Sequence, residues 1–571
     1  MNILGISCYY HDAAACLVVD GAVVAAAMEE RFTRIKHDNS FPENAIRICF
    51  SWGSLKAEEI DAVVFYEKPI VKFDRTLRQH FAGFPFTRKV FTDTMGAWFD
   101  LKLQLPKTIR KTLGYNGPVH YLPHHFSHAA SAYYLSGFET AAIVTIDGVG
   151  EWATTTMGVA KKGKITIEKE IRFPHSLGLL YSAMTSYLGF EVNDAEYKVM
   201  GLAAYGDPAP FRKHMDELVS VFPDGSYALN LKYFDFGGSH RMYNDHLSTL
   251  FGHQPRNPES PMERYYENIA ASLQEKLEHT VFHLLSAVHE QYKTDNLCLA
   301  GGVALNSVMN GKIISHTPFK KIYIPPDPGD GGGAMGAALG YWNLRFHRLR
   351  KSYDFSPYLG PSFLEEQIQE VLIRNGLVYT RLDREVLIHK VAKLLSQEKI
   401  IGWFQGRMEW GPRALGNRSI LASAARSEMK DIINSKVKHR ELFRPFAPVV
   451  LDAYMNEYFK ADRPISTSVK YMLFVYPFKA KGRIDVPAVV HVDGTGRLES
   501  LARMDNPLYY DVIDAYRMIT DIPIIINTSF NVRGEPIVCS PTDAVQCFLK
   551  TEIDYLVIGP FLVRKKKNTH D

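Results

Sequence analysis

The sequence predicts an α/β protein in which one β-rich unit occurs twice, followed by a second α/β domain. Three observations carry that reading. Strand patterns at residues 3–8, 15–19 and 22–28 recur at 142–146, 154–159 and 165–171, each set with a polar first turn. Long helical periodicity then alternates with short apolar strands from residue 262 onward. A basic, aromatic, Pro-containing stretch at 345–358 interrupts the pattern before a fresh one begins. This divides the chain into domains at 1–350 and 360–571, as 571 residues are too many for one core.

Taken in order, the first repeat turns on Tyr9-Tyr10-His11-Asp12 and then on Asp20-Gly21. Pro123 is placed to start a helix carrying His124, His125 and His128. The second repeat turns on Asp147-Gly148-Val149-Gly150. A helix over 262–292 leads to a strand at Asn296–Ala300, the pair Gly301-Gly302, Asn306, and a further helix from Ser307. A second glycine cluster, Asp327-Pro328-Gly329-Asp330-Gly331-Gly332-Gly333, lies between a strand at 321–324 and a helix at 334–344, where glycine allows a ligand near the backbone. After the break come helices at 362–375 and 385–396 and a strand at 399–404. The charged tail at 564–567 reads as a solvated terminus.

Composition excludes several classes. Apolar content of 46% and charged content of 22% belong to a folded protein rather than a disordered one. A net charge of +4 gives little sign of a nucleic-acid partner. Six cysteines without a C-x-x-C pair argue against zinc ribbons and redox dithiols and fit a reducing cytosol. No signal peptide or membrane span is read, so the expected location is cytoplasmic.

His124 and His128 share a helix face at i, i+4, and Asp147 ends an apolar strand nearby. Imidazole with carboxylate suits a first-row divalent metal: Fe, Mn or Zn. Asp330 is a candidate fourth ligand or a helix cap. The stretch 401–450 holds nine Lys/Arg against four acids, interleaved with turns. Arginine's planar fork suits a polyphosphate or acyl-phosphate pocket, and the stacking aromatics of a single-strand nucleic-acid platform are not interleaved there. Farther on, an apolar strand ends in Asn527-Thr528-Ser529-Phe530-Asn531, an ordinary turn or a set of neutral hydrogen-bonding groups.

Several of these motifs carry a family resemblance. Lys438-His439-Arg440 with Ser529-Phe530-Asn531 resembles the K-x-R…S-x-N signature of YrdC-like domains. His124, His128, Asp147 and Asp330 resemble the metal ligands of TsaD-like domains, members of the duplicated actin, sugar-kinase and heat-shock-ATPase superfamily. With the stretches Glu196–Gly206, Gly411–Ser419 and His491–Arg497, the whole chain resembles the O-carbamoyltransferases of the nodulation, cephamycin and tobramycin (NodU/CmcH/TobZ) type.

The resemblance implies a TsaD-like domain over 1–350 and a YrdC-like domain over 360–571. In such enzymes the second domain converts carbamoyl phosphate and ATP, with Mg2+ accompanying ATP, into carbamoyl adenylate. The first then transfers the carbamoyl group to a small-molecule hydroxyl. Carried over, the resemblance implies a metal, Fe2+ first and Mn or Zn next, on His124, His128, Asp147 and Asp330. Gly148, Gly150, Gly301, Gly302 and Asn306 would cradle the adenylate, with His11 as general base beside Asp12. Arg413, Arg418, Lys438, Arg440, Arg444, His491, Arg497, Asn527, Ser529 and Asn531 would hold carbamoyl phosphate and ATP. Lys36 and Lys198 are further candidate contacts, and Tyr66, Phe73, Phe81 and Tyr243, from loop-rich stretches at 65–102 and 237–261, are candidate acceptor-pocket walls. No nucleic-acid or membrane partner is expected; the acceptor and the oligomeric state stay open. The rivals are threonylcarbamoyl transfer to tRNA, a sugar kinase of the same fold, and a nucleotide-binding scaffold without turnover.

Overall fold

In the computed structural model, residues 1–82, 84, 87–237, 241–258, 260–346, 355–439, 444–461 and 466–565 are described. The chain divides into two units. Unit 1 comprises Met1–Glu29 and His37–Phe355; unit 2 comprises Glu30–Lys36 and Ser356–Asp571. A simple cut near 350–360 therefore misses one feature: residues 30–36 leave the N-terminal part of the chain and pack within unit 2.

Unit 1 holds two five-stranded mixed sheets of one design. In the first, β1 (Asn2–Ser7), β2 (Ala14–Val19) and β3 (Ala22–Met28) form an antiparallel meander. On the other side of β1, β4 (Ala62–Phe65) and β5 (Val119–Tyr121) add in parallel, giving the order β3-β2-β1-β4-β5. In the second, β6 (Thr140–Ile146), β7 (Ala153–Lys161) and β8 (Lys164–Arg172) form the meander. A separate short ribbon pairs β9 (Val219–Val221) with β10 (Tyr227–Leu229). The parallel additions to the second sheet are β11 (Asn296–Ala300) and β12 (Lys321–Tyr323). The order β8-β7-β6-β11-β12 matches the first sheet strand for strand, so the fold is α/β and duplicated, as the repeat predicted. The β1–β2 turn carries His11 and Asp12, and its counterpart between β6 and β7 carries Asp147.

One helix fixes the geometry between these turns. Residues Asp330–Phe346 form a single helix whose first eleven residues, Asp330 to Gly340, are buried. The glycine run read as a ligand-approach loop is its first turn, and the helix begins four residues before the expected position. Each helical glycine costs about 1 kcal/mol relative to alanine. Close packing explains their use: a Cβ on Gly336 would lie 1.8 Å from the Ser127 carbonyl oxygen, and one on Gly332 would lie 2.0 Å from that of Asp327. The helix thus lies hard against the helix His124–Ser136 and delivers Asp330 to its histidines.

The 65–102 stretch is not loop-rich; it holds the helices Pro69–Ala82 and Arg88–Asp100. Tyr66 and Tyr243 are buried packing residues, Tyr243 edge-on to Tyr187, while Phe81 is exposed. No helix among the described residues is long and apolar enough to cross a membrane.

Unit 2 is built on a nine-stranded sheet. Its strands are β13 (Val378–Arg381), β14 (Ile401–Phe404), β15 (Arg418–Ser423), β16 (Ala447–Leu451), β17 (Phe474–Pro477), β18 (Thr495–Leu501), β19 (Ile524–Ser529), β20 (Tyr555–Ile558) and β21 (Phe561–Arg564). The spatial order is β13-β21-β20-β14-β15-β19-β16-β18-β17. Helices Arg384–Ser396 and Pro507–Thr520 cover one face, packing Val391 and Leu395 with Val512 and Tyr516 over Trp403 and Ile525. Arg440 lies outside the described residues.

Candidate active site

Pro123, in extended conformation, caps the helix His124–Ser136, so His124 and His128 stand one turn apart. β6 ends at Ile146, and Asp147 follows directly. The four side chains His124, His128, Asp147 and Asp330 converge, with one ligand atom of each within 4.8 Å of the others. His124 Nε2 lies 2.9 Å from Asp147 Oδ2 and 3.6 Å from Asp330 Oδ1. His128 Nε2 lies 3.1 Å from His124 Nε2, 3.4 Å from Asp330 Oδ1 and 3.7 Å from Asp147 Oδ2.

This arrangement fits a divalent cation. All four residues are buried, and both carboxylate oxygens of Asp330 lack a hydrogen-bond partner, an expensive state unless a cation meets them. Two imidazole nitrogens aim at one another across the same point. Burial opposes charge on His128, but Asp147 and Asp330 outweigh it and push its pKa up to about 10. Burial likewise works against the Asp147 carboxylate, yet the two imidazoles hold it well below the usual range. The centre therefore favours positive charge.

His125 turns away. Its Nε2 faces the Ala153 carbonyl at 2.8 Å and must donate, so Nδ1 accepts from Thr145 Oγ1 at 2.6 Å. Burial and the neighbouring His124 and His128 push its pKa down to about 3, in keeping with that neutral tautomer.

The glycine set mostly serves backbone packing. Gly302 N donates to Asp147 Oδ1 at 2.9 Å, and Gly301 takes φ +93°, where a Cβ would lie 2.3 Å from the Ile146 carbonyl oxygen. Gly150 packs on His124, whereas a Cβ on Gly148 would meet only Leu179 and the Tyr10 hydroxyl, both at 3.9 Å. Asn306 caps the helix Ser307–Asn310 and exchanges two amide hydrogen bonds with Gln274, at 2.8 and 3.1 Å. Its side chain is committed to structure rather than to a nucleotide.

A second group lies in the β1–β2 turn. Asp12, at φ +43°, places Oδ2 2.6 Å from His11 Nδ1 and Oδ1 2.8 Å from His37 Nδ1. His11 Nε2 faces the Asn193 carbonyl at 2.9 Å, and His37 Nε2 faces Asp194 at 3.2 Å. Burial resists protonation, but the Asp12 carboxylate prevails and raises His11 to about 10 and His37 to about 9. Both nitrogens of His11 therefore donate, leaving no lone pair for the general base expected from sequence. His37 and Asp194 were missed because they are distant in sequence from Asp12 and carry no motif.

In unit 2 the structure brings together Lys438, Ser529 and Asn531. Lys438 Nζ lies 2.9 Å from Asn531 Oδ1, 3.0 Å from the Asn531 carbonyl and 3.4 Å from Ser529 Oγ, and also donates to the Ser529 carbonyl. A π-helical turn, Asn434–Lys438, presents it. His491 is pushed down to about 4 by burial, with Arg497 and Lys430 adding to the shift against Asp493. Arg413, Arg444 and Arg497 are half-buried.

Arg418 and Asn527 take other roles. Arg418 is fully buried, stacks 3.6 Å over the Phe404 ring and donates to the carbonyls of Gln405, Asn417, Pro361 and Gly406. It organises a loop rather than offering its fork to phosphate. Asn527 donates to Glu499 at 2.6 Å and to the Ala414 carbonyl at 3.2 Å. Glu409, unremarked in the sequence, orders the Gly411–Arg418 turn by accepting the N–H groups of Leu415, Asn417 and Arg418 through Oε1, at 2.7–3.0 Å.

Residues 2–339 match the model of the carbamoyltransferase N-terminus and residues 392–565 that of the carbamoyltransferase C-terminus. The chain is 38% identical to the nodulation protein NolNO of Sinorhizobium fredii, over 98% of this chain and 79% of that protein. It is 40% identical to the nodulation protein NolO of Bradyrhizobium diazoefficiens, over 78% and 79%. An uncharacterized Synechocystis protein is 44% identical over 99% of this chain and 97% of its own length. The chain belongs to the carbamoyltransferase family and is a carbamoyltransferase enzyme.

Proposed function

We propose that this enzyme is an ATP-dependent O-carbamoyltransferase that uses carbamoyl phosphate, by way of carbamoyl adenylate, to carbamoylate a hydroxyl of a small molecule. The observation that carries the reading is the presence of two separate chemical centres in one family chain. One is the buried His/Asp group of unit 1; the other is the Lys438–Ser529–Asn531 group of unit 2.

In the first half-reaction water hydrolyses carbamoyl phosphate to carbamate and phosphate, and the carbamate oxygen then attacks the α-phosphorus of ATP with loss of pyrophosphate. Lys438 would neutralise the charge that builds up on the phosphoryl oxygens, with Arg413, Arg444 and Arg497 as further cationic contacts. Ser529 and Asn531 fix the ammonium's position and offer neutral hydrogen bonds to the carbamoyl group. In the second half-reaction the acceptor hydroxyl bonds to the carbamoyl carbon, loses its proton, and AMP leaves. His124, His128, Asp147 and Asp330 would hold a divalent ion, Fe2+ first and Mn or Zn next, which supplies Lewis acidity toward a carbonyl or phosphate oxygen when bound. His11, with both N–H groups held by Asp12 and the Asn193 carbonyl, would serve as a fixed positive charge in the β1–β2 turn rather than as the base that takes the proton.

The test separates the halves. Lys438→Ala should abolish pyrophosphate release from ATP and carbamoyl phosphate, and preformed carbamoyl adenylate should restore transfer. His128→Ala should keep pyrophosphate release and lose transfer. ADP in place of AMP, or product formation without carbamoyl phosphate, would overturn the reading.

A further inference from the structure

Beside the His/Asp centre, the helix Pro69–Ala82 presents Lys72 and Arg75 at i, i+3, both turned inward. Arg75 is 7% exposed, yet its guanidinium makes no hydrogen bond or ion pair among the described residues, and its Nε is orphaned. Its guanidinium carbon lies 5.2 Å from the centre of the Phe173 ring. Buried guanidinium groups are otherwise paired, since an unmatched charge is costly to desolvate. Arg418 in this same protein shows the usual solution, with carbonyls meeting its nitrogens.

The surroundings hold further cations, Lys72 and Lys102, against the carboxylates Glu67 and Glu151. Lys72 pairs with Glu67 at 2.5 Å and lies 4.2 Å over the Tyr10 ring. Lys102 is pushed down to about 8 by burial and by the repulsion of Lys72 and Arg75, against the pull of Glu67. Tyr10 joins this cluster to the His/Asp centre: its ring carries Lys72, its hydroxyl lies near Gly148, and burial with Asp330, Asp147 and Glu67 pushes its hydroxyl pKa up against the pull of Arg75. Tyr10 is also 36% exposed, so the cluster borders solvent there.

We propose that Arg75, with Lys72 one turn before it on the same helix, forms an oxyanion-binding subsite next to the His/Asp centre that receives a phosphate or carboxylate group of a bound substrate. The chemistry of the subsite stands on its own. Only the source of the anion, either the adenylate phosphate or an acidic acceptor, rests on the transfer reading above.

The experiment is calorimetric titration of the full chain with inorganic phosphate, for wild type, Arg75→Met and Arg75→Lys, alongside thermal midpoints in phosphate-free buffer. The wild type should bind one phosphate more per chain than Arg75→Met. Arg75→Lys should keep that site with affinity weakened about tenfold, because an ammonium lacks the two-pronged fork. The midpoint of Arg75→Met should equal or exceed that of wild type, since an unpaired buried charge is removed. Equal phosphate stoichiometry and affinity in wild type and Arg75→Met would overturn the subsite. So would a lowered midpoint in both variants with phosphate binding retained in Arg75→Lys at full strength, which marks a structural arginine. Competition then assigns the source. Arg75-dependent displacement of phosphate by AMP points to the adenylate, and by glucuronate but not AMP to an acidic acceptor. Phosphate binding needs no turnover, so loss of the carbamoyl-transfer reading leaves this result standing, and the reverse.

Discussion

At the residue scale, three histidines on the first turns of one helix divide between two tasks. His124 and His128 point at Asp147 and Asp330, whereas His125 is tied to Thr145 and Ala153. His128→Ala should therefore lose bound divalent metal, read by elemental analysis of the purified protein, and keep its thermal midpoint in chelator. His125→Ala should do the opposite. It should retain metal and lose about 1–3 kcal/mol of stability by orphaning buried groups. The i, i+4 spacing made that division legible. What spacing did not disclose was the charge state of His11. The resemblance made it a base, but a carboxylate on one nitrogen and a carbonyl on the other make it a cation. A histidine whose folded pKa is raised contributes stability that is whole below its unfolded value near 6.5 and is lost as pH climbs through the folded value. For His11 and His37 that loss runs up to about 10 and about 9. Asp12, lowered, loses its contribution only as pH falls below the ordinary carboxylate range. Unfolding free energy should thus decline between pH 7 and 10, and His37→Asn should flatten that alkaline limb. An unchanged slope in the variant would remove the ion group as its cause.

At the element scale, the strands were the readable part. Alternation and turn chemistry located both meanders to within two residues, since each strand is bounded by polar or glycine turns. The helix Asp330–Phe346 was harder to read because glycine's low helix propensity argues against a helical first turn. The element exists because small residues let it approach β1 and the histidine helix, a tertiary effect with no local signal. Arg418 shows the same limit: an arginine between turns looks alike in sequence whether its acceptors are phosphates or backbone carbonyls. Gly336→Ala should show the packing constraint directly. Its Cβ would fall 1.8 Å from a backbone oxygen, so the two helices must separate, costing about 1–3 kcal/mol or more and loosening Asp330 from the His/Asp centre. Calorimetry and metal content should fall together. Gly201→Ala, in a helix where the new Cβ meets nothing within 4 Å, should hold or raise the midpoint.

At the scale of the whole molecule, the chain is not a simple tandem, because Glu30–Lys36 belongs to unit 2. Phe32 packs on the small core formed by Met408, Ala414, Ile537 and Cys539. Arg34 donates to the carbonyls of Ile537 at 2.6 Å and Pro536 at 2.7 Å, and Arg31 donates to that of Gly411 at 3.0 Å. Charge-assisted hydrogen bonds of this kind contribute about 1.5–3 kcal/mol each, and removing the segment also bares the apolar patch beneath Phe32. A fragment of residues 356–571 should therefore fold with reduced stability or aggregate, although it contains the whole nine-stranded sheet. Supplying residues 28–38 as a fusion at its N-terminus should raise its midpoint by several degrees, at roughly 2–4 °C per kcal/mol for a domain of this size. In the full chain, Arg34→Ala should lower the unfolding transition that carries the unit 2 tryptophans Trp403 and Trp410 and leave the remaining transition in place. A fragment 356–571 as stable as unit 2 in the intact protein would mean that the segment rests on unit 2 without holding it.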